Sequence, residues 1–443
     1  MKNKKNYKYN QGQRYWREAK KIIPGGTMLF SKNPDLFLPK KWPAYYSKAK
    51  GIFLWDLEGK KYIDLASMGV GTNILGYANN KINNDVIKII KKSNVSTLNS
   101  IEEIKLTKLL LKMNPWAQMA RYTKTGGEAN LVALRAARAV TKNFKVAFCG
   151  YHGWHDWYLS ANLQSPKNLN THLLPFVSTS GVPKVMKNQT LGFEFDDIEK
   201  FKKIVKNNKL AAVIMEVSRL KTTKKKFLNQ IRSITKKNKI CLIFDECTSG
   251  FRETFGGIYK KYGITPDIVV YGKAIANGYP LCAIVGKRRY LKSLENSFVS
   301  STFWTDRIGY TAAIKTLKLM SENKTWLKLK KKGLFIKKIW KDCAEKYKVN
   351  ITIQGLDALP TFNFNYNNHL ELKTYLTQEF LKRNILTSTS VYLSVYHSSK
   401  VLKQYAKIFE QIFSKISYFN KNNISIKTKL ESPTCLGGLR QKR

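Results

Sequence analysis

One lysine stands at the end of an apolar run, where its amine could act as a nucleophile. Lys273 closes the segment Asp-Ile-Val-Val-Tyr-Gly-Lys, and a turn with the sequence Asn-Gly-Tyr-Pro follows shortly after it. Ligands of open α/β sheets bind at the carboxyl ends of strands. Burial there lowers the pKa of a lysine and makes its amine able to condense with an aldehyde. The alternative is an ordinary solvated lysine, since the chain has 79 Lys and Arg residues.

A carboxylate ends a second apolar run in the same way. Asp245 follows Lys-Ile-Cys-Leu-Ile-Phe and precedes Glu246. An ionised carboxylate at the end of a buried strand is costly unless a cation accompanies it. The protonated nitrogen of a pyridine ring is one such cation, and a helix-capping or metal-binding Asp-Glu pair is the alternative.

A glycine turn is the third candidate. Thr125-Gly126-Gly127-Glu128 comes directly before a strongly helical stretch. The amide groups of such a turn and of the first helical turn can converge on an anion. Glycine lets the backbone approach phosphate oxygens closely. The pattern predicts a phosphate-binding turn, and the alternative is an ordinary helix start.

The elements that position these residues alternate along the middle of the chain. Short apolar runs predict buried parallel strands, and the amphipathic segments between them predict helices on both faces of a sheet. An α/β core over about residues 75–330 follows. The predicted strands are 145–150, 211–216, 239–246, 267–273 and 281–286.

Both chain ends predict a smaller α+β layer. The segment 51–65 reads as two short strands around the turn Glu58-Gly59, and a strand-like segment, 351–364, follows the core. We therefore expect a large domain over 75–330 and a small domain built from 1–74 and 331–443. The last 14 residues fit neither pattern.

The charge of the chain is strongly positive. Its 79 Lys and Arg against 29 Asp and Glu give a formal net charge of +50, which predicts salt-dependent, nonspecific attraction to polyanions. The lysines are scattered from end to end, which favours a solvated surface over a dedicated nucleic-acid face. A basic nucleic-acid-binding protein on an inactive scaffold is the alternative of another class.

Cysteine usage indicates the compartment. The six cysteines form no Cys-x-x-Cys pair and lie mostly in apolar runs, which is typical of free, buried thiols in a reducing compartment. No apolar stretch approaches the roughly 18 residues of a membrane helix, and the N-terminus lacks the apolar region of a signal peptide. We expect a cytoplasmic protein without a membrane partner.

The order and spacing of four motifs resemble those of the class III (subgroup II) aminotransferases. The motifs are the glycine turn, Tyr151-His152-Gly153, Asp245-Glu246 and Lys273. The resemblance extends over about residues 20–415. It implies an α/β enzyme that depends on pyridoxal 5′-phosphate (PLP), of fold type I, with a mostly parallel sheet in the large domain. It also implies a homodimer with shared active sites. Further matching motifs are Ile23-Pro24-Gly25-Gly26, Gly181-Val182-Pro183-Lys184 and Ser249-Gly250-Phe251-Arg252.

The same resemblance implies residue roles. Lys273 is implied to hold PLP as a Schiff base and to move protons, and Asp245 to pair with the ring nitrogen. Thr302 is implied to reach the phosphate bound by the neighbouring subunit, and an ordinary helix-entry threonine is the alternative. The other implied contacts are Gly126 and Gly127 with the phosphate, Tyr151 on one ring face, and Cys247 on the other, where relatives usually carry Val or Ile.

Two positions concern the substrate. Lys32 stands where glutamate-1-semialdehyde 2,1-aminomutase, a member of this family, has an arginine that binds the substrate carboxylate. A lysine lacks the bidentate fork of arginine. Glu216, followed by Val217 where the family has proline, is a candidate near the cofactor or substrate.

The activity implied is amino transfer between an amine donor and a carbonyl acceptor. A keto or aldehydo sugar of surface-polysaccharide synthesis is the acceptor that similar proteins suggest. The alternative is the aminomutase reaction itself, which makes 5-aminolevulinate.

Overall fold

Strands and helices alternate through the middle of the chain, as the apolar runs predict. The computed structural model describes residues 11–172, 175, 177–219 and 223–438. The strands are β1 (Tyr46–Lys50), β2 (Phe53–Asp56), β3 (Lys61–Asp64), β4 (Met119–Thr123), β5 (Lys145–Cys149), β6 (Thr190–Gly192), β7 (Leu210–Met215), β8 (Cys241–Glu246), β9 (Ile268–Tyr271), β10 (Cys282–Gly286), β11 (Ile351–Leu356), β12 (Leu359–Phe364) and β13 (Ile385–Leu386). The helices are α1 (Gln11–Ile22), α2 (Met68–Gly71), α3 (Asn80–Ile90), α4 (Ile101–Met113), α5 (Gly126–Thr141), α6 (Asp156–Leu159), α7 (Ile198–Asn207), α8 (Lys225–Lys237), α9 (Arg288–Leu291), α10 (Arg307–Glu322), α11 (Thr325–Tyr347), α12 (His369–Leu381) and α13 (Ser399–Lys421).

A seven-stranded sheet forms the centre of the fold, in the order β4-β10-β9-β8-β7-β5-β6. The five strands from β9 to β6 pair in parallel. Alternate residues of one strand pack into two hydrophobic clusters, Val213 and Met215 into one and Ala212 and Ile214 into the other. Since side chains alternate across a strand, the sheet is buried on both faces. The α/β fold class with a mostly parallel sheet is thereby confirmed.

The prediction of a parallel strand at 281–286 is wrong. Strand β10 runs antiparallel to both of its neighbours, β9 and β4. Only ten residues, 272–281, connect β9 to β10, whereas a parallel crossover needs about a dozen or more. Two edge strands, β4 and β6, were not predicted, because their short sequences, Met-Ala-Arg-Tyr-Thr and Thr-Leu-Gly, lack a continuous apolar run.

A separate four-stranded sheet joins the two ends of the chain. Strands β2 and β3 form a hairpin whose turn contains Gly59 at φ 80°, and β13 pairs with β3 in parallel through Ile385 and Ile63. Strands β11 and β12 form a second hairpin with a two-residue turn. These pairings support a small domain made from both ends, and its proposed limits at residues 74 and 330 stay predictions.

The C-terminal segment up to residue 438 packs against the N-terminal part of the chain. The backbone N–H of Leu436 donates to the Asp35 carbonyl at 2.8 Å, and that of Cys435 donates to Thr374 Oγ1 at 2.9 Å. The segment is therefore hydrogen-bonded both to α12 and to the residues before β1. Of the last 14 residues, 439–443 lie outside the described residues. None of the helices in the described ranges combines the length and the apolar character needed to cross a membrane.

Candidate active site

Lys273 lies directly after β9, at the carboxyl edge of the sheet. Its Nζ donates to Thr248 Oγ1 at 3.0 Å, and its backbone has φ 44°, in the left-handed region that few non-glycine residues adopt. Burial lowers the pKa of Lys273. The lysine is thus a partly buried amine with a larger neutral, nucleophilic fraction than a surface lysine has at the same pH.

The Cys247 thiol lies between the glycine turn and the strand that carries Lys273. A Cβ built on Gly272 would be 3.0 Å from Cys247 Sγ, and one built on Gly126 would be 3.1 Å from the same atom. A hydrogen bond to Cys282 and burial raise the pKa of Cys247. At neutral pH the residue is therefore a thiol that packs as a small apolar side chain.

Asp245, at the end of β8, is held as a buried anion. Its carboxylate accepts hydrogen bonds from His152 Nδ1 at 2.9 Å, Asn130 Nδ2 at 2.7 Å and the Cys247 backbone N–H at 3.0 Å, and the residue is 3% exposed. Burial raises the pKa of Asp245, but the His152 ring and the other donors outweigh it and hold the pKa below its ordinary value. The carboxylate is ionised at neutral pH and is aligned before any ligand binds.

The glycine turn leads into α5 as the sequence predicts. Thr125 caps the helix, since its Oγ1 accepts from the Glu128 N–H at 3.4 Å while the Glu128 carboxylate accepts from the Thr125 N–H at 2.8 Å. Within the described ranges, no hydrogen bond is formed by the backbone N–H groups of Gly126 and Gly127. Both lie at the positive end of a 16-residue helix, an arrangement that suits an anion such as a phosphate.

Only glycine fits at the second position of the turn. A Cβ built on Gly127 would lie 2.8 Å from His155 Cδ2, closer than a real contact allows. His155 therefore packs directly on the glycine backbone, and its ring stacks on Trp154. A side chain at Gly127 would displace this histidine and narrow the space over the helix N-terminus.

Glu216, directly after β7, pairs with an arginine that sequence reasoning missed. The Tyr151 backbone N–H donates to Glu216 Oε2 at 3.0 Å, and Arg219 Nη1 donates to Glu216 Oε1 at 3.0 Å. The Arg219 guanidinium carbon lies 5.5 Å from the centre of the Tyr151 ring. Arg219 stands in the segment Ser-Arg-Leu-Lys-Thr-Thr-Lys-Lys-Lys, whose many cations make it inconspicuous in the sequence. Its position three residues after a glutamate at the end of a strand was the feature that could have indicated an ion pair.

Arg252 is a buried arginine that forms a hydrogen bond to the segment between β3 and α3. Arg252 Nε donates to the Thr248 carbonyl at 2.5 Å and Nη2 donates to the Gly71 carbonyl at 2.6 Å. Burial lowers the pKa of Arg252 to about 10. Val70 of this segment has φ 58°, a strained value for a β-branched residue. The surrounding contacts therefore hold the segment in one conformation beside Lys273 and Thr248.

Two of the residues singled out from the sequence are exposed and form no hydrogen bond with this cluster in the described part of the chain. Thr302 begins a short 3₁₀ turn, Thr302–Thr305, and is exposed. Lys32 ends another short turn, Phe30–Lys32, and is also exposed. Within the described residues the Lys32 ammonium forms no hydrogen bond or ion pair. The roles of both stay predictions.

The cluster fits PLP. A partly buried amine suits its aldehyde, a fixed anion suits a protonated ring nitrogen, and the free N–H groups at the start of α5 suit its phosphate. The residues for these three contacts, Lys273, Asp245 and Gly126-Gly127, converge around Cys247. No rearrangement of the strand ends is needed to bring them together.

Comparisons with known proteins agree with this geometry. Residues 39–407 match the family model of aminotransferase class III. The chain is 30% identical to 3-aminobutyryl-CoA aminotransferase of Cloacimonas acidaminovorans over 399 residues, 86% of this chain and 89% of that protein. It is 32% identical to glutamate-1-semialdehyde 2,1-aminomutase of Nitrosopumilus maritimus over 413 residues, 87% of this chain and 95% of that protein.

Solved structures share the fold. The FumI protein of Sphingopyxis sp. MTA144, solved in a PLP-bound form, superposes with a TM-score of 0.82 at 21% identity, covering 93% of this chain and 97% of that one. An omega-transaminase from Sphaerobacter thermophilus superposes with a TM-score of 0.81 at 21% identity, covering 94% and 100%. The fold type I prediction is confirmed.

Proposed function

The chain belongs to the class III aminotransferase family, and from this premise we propose that the cluster around Lys273 is the site of a PLP-dependent amino transfer. The observation that carries this assignment is the pair of neighbouring strand ends, where β9 leads to a partly buried amine and β8 ends in a buried, ionised carboxylate. When bound, PLP supplies an electron sink that stabilises negative charge on the substrate carbon.

Lys273 and Asp245 have distinct roles. Lys273 Nζ would hold the cofactor covalently and, as a free amine, would carry the proton that leaves and returns to the substrate carbon. Its lowered pKa suits both tasks, because the amine must be neutral to attack and to accept a proton. Asp245 stays ionised and keeps the ring nitrogen protonated.

The remaining proposed contacts fix the position of the cofactor. The free N–H groups of Gly126 and Gly127 bind the phosphate at the start of α5. Tyr151, whose backbone is tied to Glu216, stacks on one ring face, and the Cys247 thiol packs on the other. Each contact comes from a different strand end, so the sheet keeps the cofactor from rotating.

We propose that the working enzyme is a homodimer in which Thr302 reaches the phosphate bound by the partner. Two phenylalanines close to Thr302 support this, since Phe298 is 92% and Phe303 is 68% exposed in the single chain. Large apolar side chains so exposed on one segment are typical of a surface that another chain covers. The free thiols of the chain support a reducing, cytoplasmic location.

The substrates are an amine donor and a carbonyl acceptor, and a keto or aldehydo sugar stays the proposed acceptor. The aminomutase reaction is the second candidate, favoured by the identity to the aminomutase of Nitrosopumilus maritimus. The net charge of +50 supports only nonspecific, salt-dependent contact with nucleic acid.

Borohydride reduction of the PLP-loaded protein tests the assignment. Reduction converts the carbon–nitrogen double bond between the cofactor and its lysine into a stable amine, so peptide mapping identifies that lysine. We expect the label on Lys273 alone and no label in Lys273→Ala. Lys332→Met is the matched control, because burial also lowers the pKa of Lys332, to about 8, far along the chain in α11. A label on Lys332, or on any other lysine, contradicts the assignment.

A further inference from the structure

Arg219 is a partly buried cation that an ion pair holds in place in the candidate site. Its side chain is 18% exposed, and its carboxylate partner Glu216 is almost completely buried. Glu216 itself cannot move freely, because the Tyr151 N–H donates to it and a Cβ built on Gly150 would lie only 2.8 Å from its Oε2. The fixed glutamate therefore positions the guanidinium beside the Tyr151 ring.

The guanidinium of Arg219 keeps donors available for another anion. Glu216 accepts through a single nitrogen, Nη1, whereas an arginine has five N–H donors in a planar fork. Among the residues that the structure describes, the Arg219 guanidinium has no second hydrogen-bond acceptor. Arg252 differs, since two of its nitrogens are already bound to backbone carbonyls. Arg252 therefore has a structural role, whereas the Arg219 guanidinium keeps N–H donors that could bind another anion.

The charge of Arg219 also acts on the reacting amine. Burial lowers the pKa of Lys273, and the positive charge of Arg219 acts in the same direction. The guanidinium carbon lies 5.5 Å from the centre of the Tyr151 ring. A carboxylate that entered beside Tyr151 would therefore meet a partly desolvated cation whose charge already influences the amine that exchanges with the substrate.

Lys32, the predicted counterpart of the substrate-binding arginine in the aminomutase, is exposed. We infer that Arg219 binds a carboxylate of the substrate, so that the enzyme prefers amino acids to simple amines as donors. The inference rests on the proposed amino transfer at Lys273. It assigns the carboxylate to a bidentate, strand-anchored arginine, which suits a planar anion better than a flexible lysine does.

Pairs of donors that differ only in the carboxylate test this inference on the PLP-loaded enzyme. L-alanine is compared with isopropylamine, and 4-aminobutyrate with butylamine, by following the absorbance of the cofactor in a single turnover. We expect the wild type to prefer the carboxylate member of at least one pair. Arg219→Gln should lower that preference, measured as the ratio of the two rates within a pair, by about tenfold to a hundredfold. Arg219→Lys should restore part of it, because it keeps the charge.

A binding measurement separates this inference from the proposed function. Propionate and butyrate lack the amine, so their affinity for the loaded enzyme, measured by calorimetry, does not depend on turnover. We expect Arg219→Gln to weaken their binding about tenfold or more and to leave propionamide and butyramide unaffected. The control is Arg288→Gln, an exposed arginine in α9.

The possible results point in different directions. If no amine is converted by the wild type while carboxylates still bind through Arg219, the proposed amino transfer and the donor preference both fail, and only the carboxylate-binding role of Arg219 stands. If wild type and Arg219→Gln show the same donor preference and the same carboxylate affinity, the inference is overturned while amino transfer remains. A loss in Arg219→Gln that is equal for acids and amides also overturns it, since that loss indicates a purely structural arginine.

Discussion

His152 and Asp245 form a buried pair in which both nitrogens of the imidazole face oxygen atoms. Nδ1 lies 2.9 Å from Asp245 Oδ2, and Nε2 lies 3.2 Å from the carbonyl oxygen of Cys149. Both oxygens can only accept hydrogen bonds, so a ring nitrogen that carries a hydrogen donates it to one of them. The pair thus keeps an ionised carboxylate inside the protein before a pyridine nitrogen is present.

Removing the imidazole should destabilise the cofactor-free protein. In His152→Phe the ring volume is largely kept, but the buried Asp245 carboxylate loses its contact with Nδ1. We expect the free energy of unfolding at neutral pH to fall by about 3 kcal/mol, measured by urea denaturation. The double variant His152→Phe/Asp245→Asn should lose less than the sum of the two single losses, because it no longer buries an unpaired carboxylate. Strict additivity would show that the two residues do not interact.

Replacing the carboxylate should affect turnover more than folding. Asp245→Asn keeps the size of the side chain, but an amide cannot hold a ring nitrogen protonated. We expect turnover to fall by on the order of a hundredfold or more while the protein still binds PLP. Asp267→Asn is the control, since Asp267 is a buried carboxylate at the opposite end of the sheet, paired with Arg232 and Lys287. Near-normal turnover in Asp245→Asn would remove this residue from the mechanism.

The desolvated amine of Lys273 should lower the free energy of unfolding of the cofactor-free protein by an amount that depends on pH. Burial lowers the pKa of Lys273 from the ordinary value of 10.5, so below that pH the unfolded chain binds the proton more readily than the folded protein does. The penalty is absent above about pH 10.5, grows as the pH falls, and becomes constant below the folded pKa. Cofactor-free Lys273→Met should therefore be more stable than the wild type at pH 7. In urea denaturation this advantage should vanish as the pH approaches 10.5, and an advantage independent of pH contradicts the prediction.

The residues that the sequence identified stand next to regular elements of the fold. Lys273 and Asp245 are ionisable groups at the ends of apolar strands, where burial costs free energy, so they are conspicuous in a single sequence. Gly126 begins a helix shortly after a strand. The local apolar runs predicted five strands of the sheet but not its edge strands, β4 and β6. They also did not reveal the antiparallel direction of β10, which follows from the short connection before it.

The rest of the site depends on contacts that are distant along the chain. His152 lies 93 residues before Asp245, so the contact between its ring and that carboxylate appears only when β5 and β8 are placed in one sheet. Arg219 stands among lysines and differs from them only in packing against Tyr151 and Glu216. Neither spacing nor composition carries that information.

The proposed dimer should depend on the exposed apolar segment near Thr302. Light scattering of the loaded enzyme should give twice the 51.0 kDa mass of the chain. Phe298→Glu should shift this mass towards the monomer and reduce turnover, because a charge cannot be buried in the interface. Phe144→Glu, at another exposed phenylalanine, is the control. Thr302→Val should keep the dimer and weaken PLP binding, and an active monomeric wild type would disprove the shared site.

The last prediction concerns glutamate-1-semialdehyde, the substrate of the aminomutases in this family. The lysine at position 32 is exposed and lacks the planar fork that binds a carboxylate through two parallel hydrogen bonds. Arg219, which we propose for the carboxylate, projects from the end of β7 instead, so a substrate held there is oriented differently from one held at position 32. We expect weak or no conversion to 5-aminolevulinate, and therefore no full rescue of an aminolevulinate-requiring bacterial strain by this gene. Lys32→Arg should improve conversion if position 32 faces the substrate. Full rescue by the wild type would mean that Lys32 suffices and that the chain is an aminomutase.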